Sequence, residues 1–94
     1  MNQRIYKITA IKVVSPFTME IIFSDGLKKT IDFLPMLKGE MYGPLADELY
    51  FKKICLNKDV HTIEWPNGAD FDPEILYNWE SYKAELVKRA EMWV

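Results

Sequence analysis

The sequence predicts an α+β fold: a mainly antiparallel sheet of about five short strands, one short helix and a long C-terminal helix. Three patterns carry that prediction. Apolar and polar residues alternate through 17–33, the period of a half-buried strand pair. Two short apolar segments follow at 52–57 and 60–65. From residue 73 onward, apolar residues return at spacings of three and four, the period of one helix face. The 94 residues are 49% hydrophobic and 14% aromatic, enough apolar surface for one core and too much for a disordered chain. We expect one domain over residues 1–94, with residues 79–94 as a helical extension.

The first strand is expected over Ile5 to Val14. Its apolar parity switches between Ala10 and Ile11, which is reconciled either by a bulge near Ala10 or by partial cover on both faces. Ser15-Pro16 ends it. In the next segment Phe17, Met19, Ile21 and Phe23 alternate with Thr18, Glu20 and Ser24. After the turn, Leu27, Ile31 and Phe33 alternate with Lys28, Thr30 and Asp32. A two-residue Asp25-Gly26 turn would set Phe23 against Lys28 and mix the two faces. A three-residue loop, Ser24-Asp25-Gly26, sets Phe23 against Leu27, Met19 against Ile31 and Phe17 against Phe33. It also places glycine where the loop needs a positive φ.

Leu34 to Leu37 suits a tight turn, and Gly43-Pro44 opens a short helix over residues 44–50. Lys52–Asn57 and Val60–Trp65 read as strands joined at Lys58-Asp59. Asp72 is the expected cap of the last helix, with Pro73 at its first position and Phe71 and Leu76 as a hydrophobic staple. The stripe Ile75, Trp79, Tyr82, Leu86, Ala90 and Trp93 follows, and no Gly or Pro interrupts the run to Val94. Its apolar end needs a cover. That cover is either the protein's own sheet or a second chain, in a homodimer or a complex with another protein. Leu86, Ala90 and Trp93 are therefore candidate partner-binding residues.

The charge balance, 12 Lys+Arg against 14 Asp+Glu, does not support nucleic-acid binding by bulk charge. The basic doublets Lys28-Lys29 and Lys52-Lys53 read as solvated faces or edge protection. One cysteine, Cys55, permits no internal disulfide and fits a reducing, cytoplasmic setting; no signal core or membrane span is visible. One histidine, His61, and one cysteine are too few for a zinc site within one chain. A Cys55–His61 nucleophile pair needs the two strands to bring them together. No glycine-rich phosphate loop is present. No cofactor, metal or catalytic residue is expected, and the reading leans away from an enzyme.

The most individual stretch is Trp65-Pro66-Asn67-Gly68-Ala69-Asp70. It reads as a turn connecting strand to helix, with Trp65 in the core, Asp70 satisfying loop amides and Asp72 as cap. The alternative is an acidic loop of Glu64, Asp70 and Asp72 that binds a cation, a ligand or a basic partner, in a ligand-binding protein or an enzyme.

The order of these signals resembles the domain-of-unknown-function family 2442 of small bacterial proteins. The resemblance is carried by Ile8-Thr9-Ala10-Ile11-Lys12-Val13, by Phe23 to Phe33, by Gly43 to Leu49, and by Trp65 to Tyr77 with its Trp-Pro-Asn-Gly-Ala-Asp start. It covers about residues 5–78. It implies a compact α+β domain, and a gene arrangement suggesting toxin–antitoxin pairs. It assigns no catalytic residue. On this basis a non-enzymatic interaction module is expected, as the antitoxin-like or regulatory member of a two-gene pair. The sequence shows no helix-turn-helix pattern, which argues against direct DNA binding; a nucleic-acid-associated regulator is kept as a further alternative.

Overall fold

The computed structural model describes residues 6–92, with Met41 described by its backbone alone. Ile5, Trp93 and Val94, which the sequence reading assigned to the first strand and the last helix, lie outside the described residues. Among the described residues six strands form two three-stranded antiparallel sheets, where about five strands were expected. The first sheet has the order β1 (Ile8–Ser15), β2 (Thr18–Phe23), β3 (Lys28–Asp32). The second has the order β4 (Cys55–Asn57), β5 (Thr62–Glu64), β6 (Asp70–Phe71).

The register of the first hairpin follows from its apolar face. Met19 lies opposite Ile31. The Phe23 N–H donates to the Leu27 carbonyl at 2.9 Å, and the Phe33 N–H to the Phe17 carbonyl at 2.8 Å. The loop is Ser24-Asp25-Gly26, with Gly26 at φ 93° and the Asp25 carboxylate accepting from the Leu27 N–H. A slip of one residue would turn Met19, Ile21 and Phe23 into water; all three are buried. The predicted bulge is present: pairing shifts between Ile8 and Ala10, and again between Val13 and Ser15. Lys29 corrects the reading of the lysine doublet. It sits opposite Ile21, on the core side of the sheet, and its side chain is only 17% exposed. Its ammonium reaches Glu80 of the last helix at 2.5 Å.

Between the sheets the chain is more broken than the single helix expected at 44–50. A 3-10 turn (Leu34–Met36), α1 (Gly39–Tyr42), a second 3-10 turn (Gly43–Ala46) and α2 (Glu48–Phe51) follow one another. Asp47 separates the last two because its carboxylate caps α2, accepting from the Leu49 N–H, which requires an extended backbone at Asp47.

Strands β4 and β5 are shorter than their apolar segments, and residues 58–61 form the connection. His61 is in that loop rather than a strand, at φ 56°, and its carbonyl accepts from the Ile8 N–H, tying the two sheets together.

The last helix is also two. Asp72 caps α3 (Pro73–Tyr77), accepting from the Glu74 N–H at 2.9 Å, and α4 runs Trp79–Glu91. Asn78 breaks the run at φ −104°, ψ 38°, with its side-chain amide donating to the Glu74 carbonyl. Short polar side chains compete with helix geometry in this way. One core cluster gathers Phe23, Ile63 and Phe71 from the two sheets, Phe33 and Trp65 from just beyond β3 and β5, and Phe51 from α2, with Leu76, Trp79 and Ala90 from the later helices. Phe33 is the hub of its aromatic packing, with Phe51, Trp65, Phe71 and Trp79 rings at centroid distances of 5.2 to 6.4 Å.

Candidate functional site

The Trp65 segment is a hairpin turn, not a strand-to-helix connection. The Trp65 N–H donates to the Ala69 carbonyl, the Gly68 N–H returns to the Trp65 carbonyl, and Asn67 accepts from the Ala69 N–H. Gly68 stands at φ 89°. Every one of these features repeats the Phe23–Leu27 hairpin, with Asn67 in the place of Asp25 and Gly68 in the place of Gly26. Trp65 is buried, as expected, and its indole N–H donates to the Phe51 carbonyl at 2.9 Å. The four residues Trp65, Pro66, Asn67 and Gly68 thus serve to launch β6.

That hairpin sets out the acidic residues. Glu64 lies opposite Asp70, and Ile63 opposite Phe71. Strand alternation buries Phe71 and leaves Asp70 and Asp72 exposed on either side of it. Glu64 is held by the Asn57 amide at 3.1 Å, and one Asp72 oxygen is engaged in the α3 cap. Among the described residues no cation pairs with Asp70 or Asp72, and no three His, Cys, Asp or Glu side chains are grouped to hold a metal ion.

Asp70 and Asp72 form one wall of a cleft of about 350 Å³. Its apolar lining is Met36, Phe71, Ile75, Leu86 and Ala90; Lys38, Tyr42 and Arg89 supply the other polar groups. Tyr42 closes the end nearest β6. Its ring stacks on Phe71 at 5.0 Å and its hydroxyl donates to the Asp70 carbonyl at 2.8 Å. Burial, and secondarily the Asp70 charge, push the Tyr42 hydroxyl above the ordinary tyrosine value, so it stays a hydrogen-bond donor. Arg89 is engaged by Glu85, one turn earlier on α4, at 2.6 Å.

Two sets of residues that the sequence treated as separate candidates therefore meet here. Asp70 and Asp72 come from β6 and the start of α3, Leu86 and Ala90 from α4. Ala90 is 5% exposed and belongs to the floor, covered by the chain itself. Glu64 is absent from the lining, and Trp93 lies outside the described residues. The sequence reading missed Met36, Lys38 and Tyr42, because the segment from 34 to 43 has no single period to reveal which side chains share a face. Arg89 stands off the apolar stripe of the helix and so drew no notice in the sequence.

The Cys55–His61 pair does not form. Strands β4 and β5 do pair, but the register sets Glu64 opposite Cys55 and leaves His61 in the loop. The Cys55 thiol is exposed and turned to the Lys53 carbonyl. Among the described residues no helix is long and apolar enough to cross a membrane.

A family model described as "Protein of unknown function (DUF2442)" matches residues 8–82. The match takes in the acidic wall and stops short of Leu86, Arg89 and Ala90. Neither a curated protein nor a solved structure matches the chain.

Proposed function

The chain belongs to the family described as Protein of unknown function (DUF2442), and from its geometry we propose that it is a non-enzymatic protein-interaction module that binds through the α4 cleft. The observation that carries this reading is the make-up of the cleft: an apolar floor from four elements, rimmed by charges of both signs and one tyrosine donor. Interfaces combine a buried apolar centre with a polar rim in this way. Catalysis by contrast needs a nucleophile or base with a positioned partner. Burial raises the Tyr42 hydroxyl above its ordinary value, away from service as a base or nucleophile.

Within this reading the protein acts in the cytoplasm as the antitoxin-like or regulatory member of a two-gene pair, which is the form of partner binding its family resemblance implies. The test is affinity capture of the full chain beside its Leu86→Glu variant, followed by reconstitution with the purified partner. Leu86 is partly exposed at the cleft edge while one side packs against the core, so the variant is expected to fold with a modest fall in melting temperature. We expect complex formation to be lost at temperatures where the variant is fully folded. A complex indifferent to Leu86→Glu would sink the cleft as the binding surface. The rival reading takes Glu64, Asp70 and Asp72 as a cation-binding loop. It would replace ours if millimolar calcium or magnesium raised the melting temperature while Leu86→Glu left the complex intact.

A further inference from the structure

Resting on the reading of the α4 cleft as a docking site, we propose that its occupant is a segment of a partner protein in which an apolar side chain lies next to a Lys or Arg, the apolar group seated on Leu86 and Met36 and the cation on Asp70 and Asp72.

The charge balance of the cleft selects for a cation. Arg89 is already compensated by Glu85. Asp70 and Asp72 have no ion-pair partner among the described residues, and Glu64 stands beside Asp70 across the hairpin. The negative field is felt at Tyr42, whose hydroxyl the Asp70 charge helps to keep protonated. Lys38, also without an ion pair among the described residues, is left to meet main-chain carbonyls of the occupant.

The mode of binding is equally constrained. Strand β6 is an edge strand, and edge strands invite the addition of another. Here the Asp70 carbonyl already accepts from the Tyr42 hydroxyl. Main-chain pairing along β6 is blocked at that point, so recognition falls to side chains. A volume of about 350 Å³ suits one or two of them, not a folded element.

The probes are N-acetyl-leucyl-arginine amide and N-acetyl-leucyl-glutamate amide, titrated into the ¹⁵N-labelled full chain and followed by amide shifts. The arginine probe is expected to move the signals of residues 70–72 and 86–90 and to bind about tenfold more tightly than the glutamate probe. That corresponds to exchanging attraction for repulsion at two exposed carboxylates. In Asp70→Asn/Asp72→Asn the preference is expected to fall to within about twofold. Asparagine caps a helix as well as aspartate does, so this variant keeps α3. Equal affinity of the two probes at the cleft overturns the charge assignment and leaves the docking reading standing. If neither probe moves the cleft signals at millimolar concentration, both fail. If light scattering shows a dimer that Leu86→Glu dissociates, the occupant is a second copy, and the proposal is again overturned.

Discussion

Gly26 and Gly68 hold their hairpins at φ of 93° and 89°, a region that costs an L-residue roughly 1 kcal/mol. A Cβ built at either position meets nothing within 4 Å, so the cost of substitution there is conformational and not steric. Gly26→Ala and Gly68→Ala are each expected to destabilise by about 1 kcal/mol in urea unfolding, and Asn at either position by less. The first of these turns was legible because long alternating strands flank it. The second was legible as a turn but not as a hairpin, although its pattern of turn residues is the same. Strand β6 is two residues long, too short to show a period, so Asp70 read as loop. Asp72 has a double part at this scale. Asp72→Ala is expected to cost about 1 kcal/mol through the lost cap, and Asp72→Asn close to nothing. That contrast separates its role in stability from its charge in the cleft.

Elements meet where one helix lies against one strand. Lys29 leaves β3 on the core side and ends at Glu80, in the first turn of α4. The alternation of residues 27–33 skipped over it, because a lysine on an apolar face breaks the pattern that defines the face. The ammonium of Lys29 holds the Glu80 carboxyl below the ordinary glutamate range, first through their hydrogen bond. A carboxylate with a depressed folded pKa stabilises the fold above its unfolded value, about 4.3, and that contribution fades as pH falls through the folded value. The stability difference between the wild type and Glu80→Gln is therefore expected to be constant near neutrality and to shrink on acidification below about pH 4.3. Denaturant unfolding at a series of pH values measures it. A difference that grew on acidification would show that the pair does not anchor α4. Glu80 is largely exposed, so high salt is expected to reduce the difference as well.

At the scale of the molecule, the question is whether α4 belongs to the core or waits for a partner. Its apolar stripe was plain in the sequence; what covers it was not, since periodicity shows that a face is buried and never against what. The structure divides the stripe. Trp79 and Ala90 are 6% and 5% exposed and join the core cluster, and α4 packs on the 3-10 turn that carries Met36. Leu86 remains partly exposed at the cleft. A chain truncated after Val87 loses Ala90 from the floor and Arg89 from the rim while keeping Trp79 and Leu86. Removing the last turns of a docked helix is expected to lower stability by about 1–2 kcal/mol, within the ordinary range for a core perturbation. The monomer itself would show this as a fall in the denaturation midpoint, independent of protein concentration. A stripe reserved for a second copy predicts something else. Truncation would leave the monomer's stability unchanged and abolish a dimer seen by light scattering, with a midpoint that depends on concentration in the full chain. The burial of Ala90 within one chain favours the first outcome. The exposed side of Leu86 leaves the cleft to a partner, and the truncated chain is expected to lose that partner along with its stability.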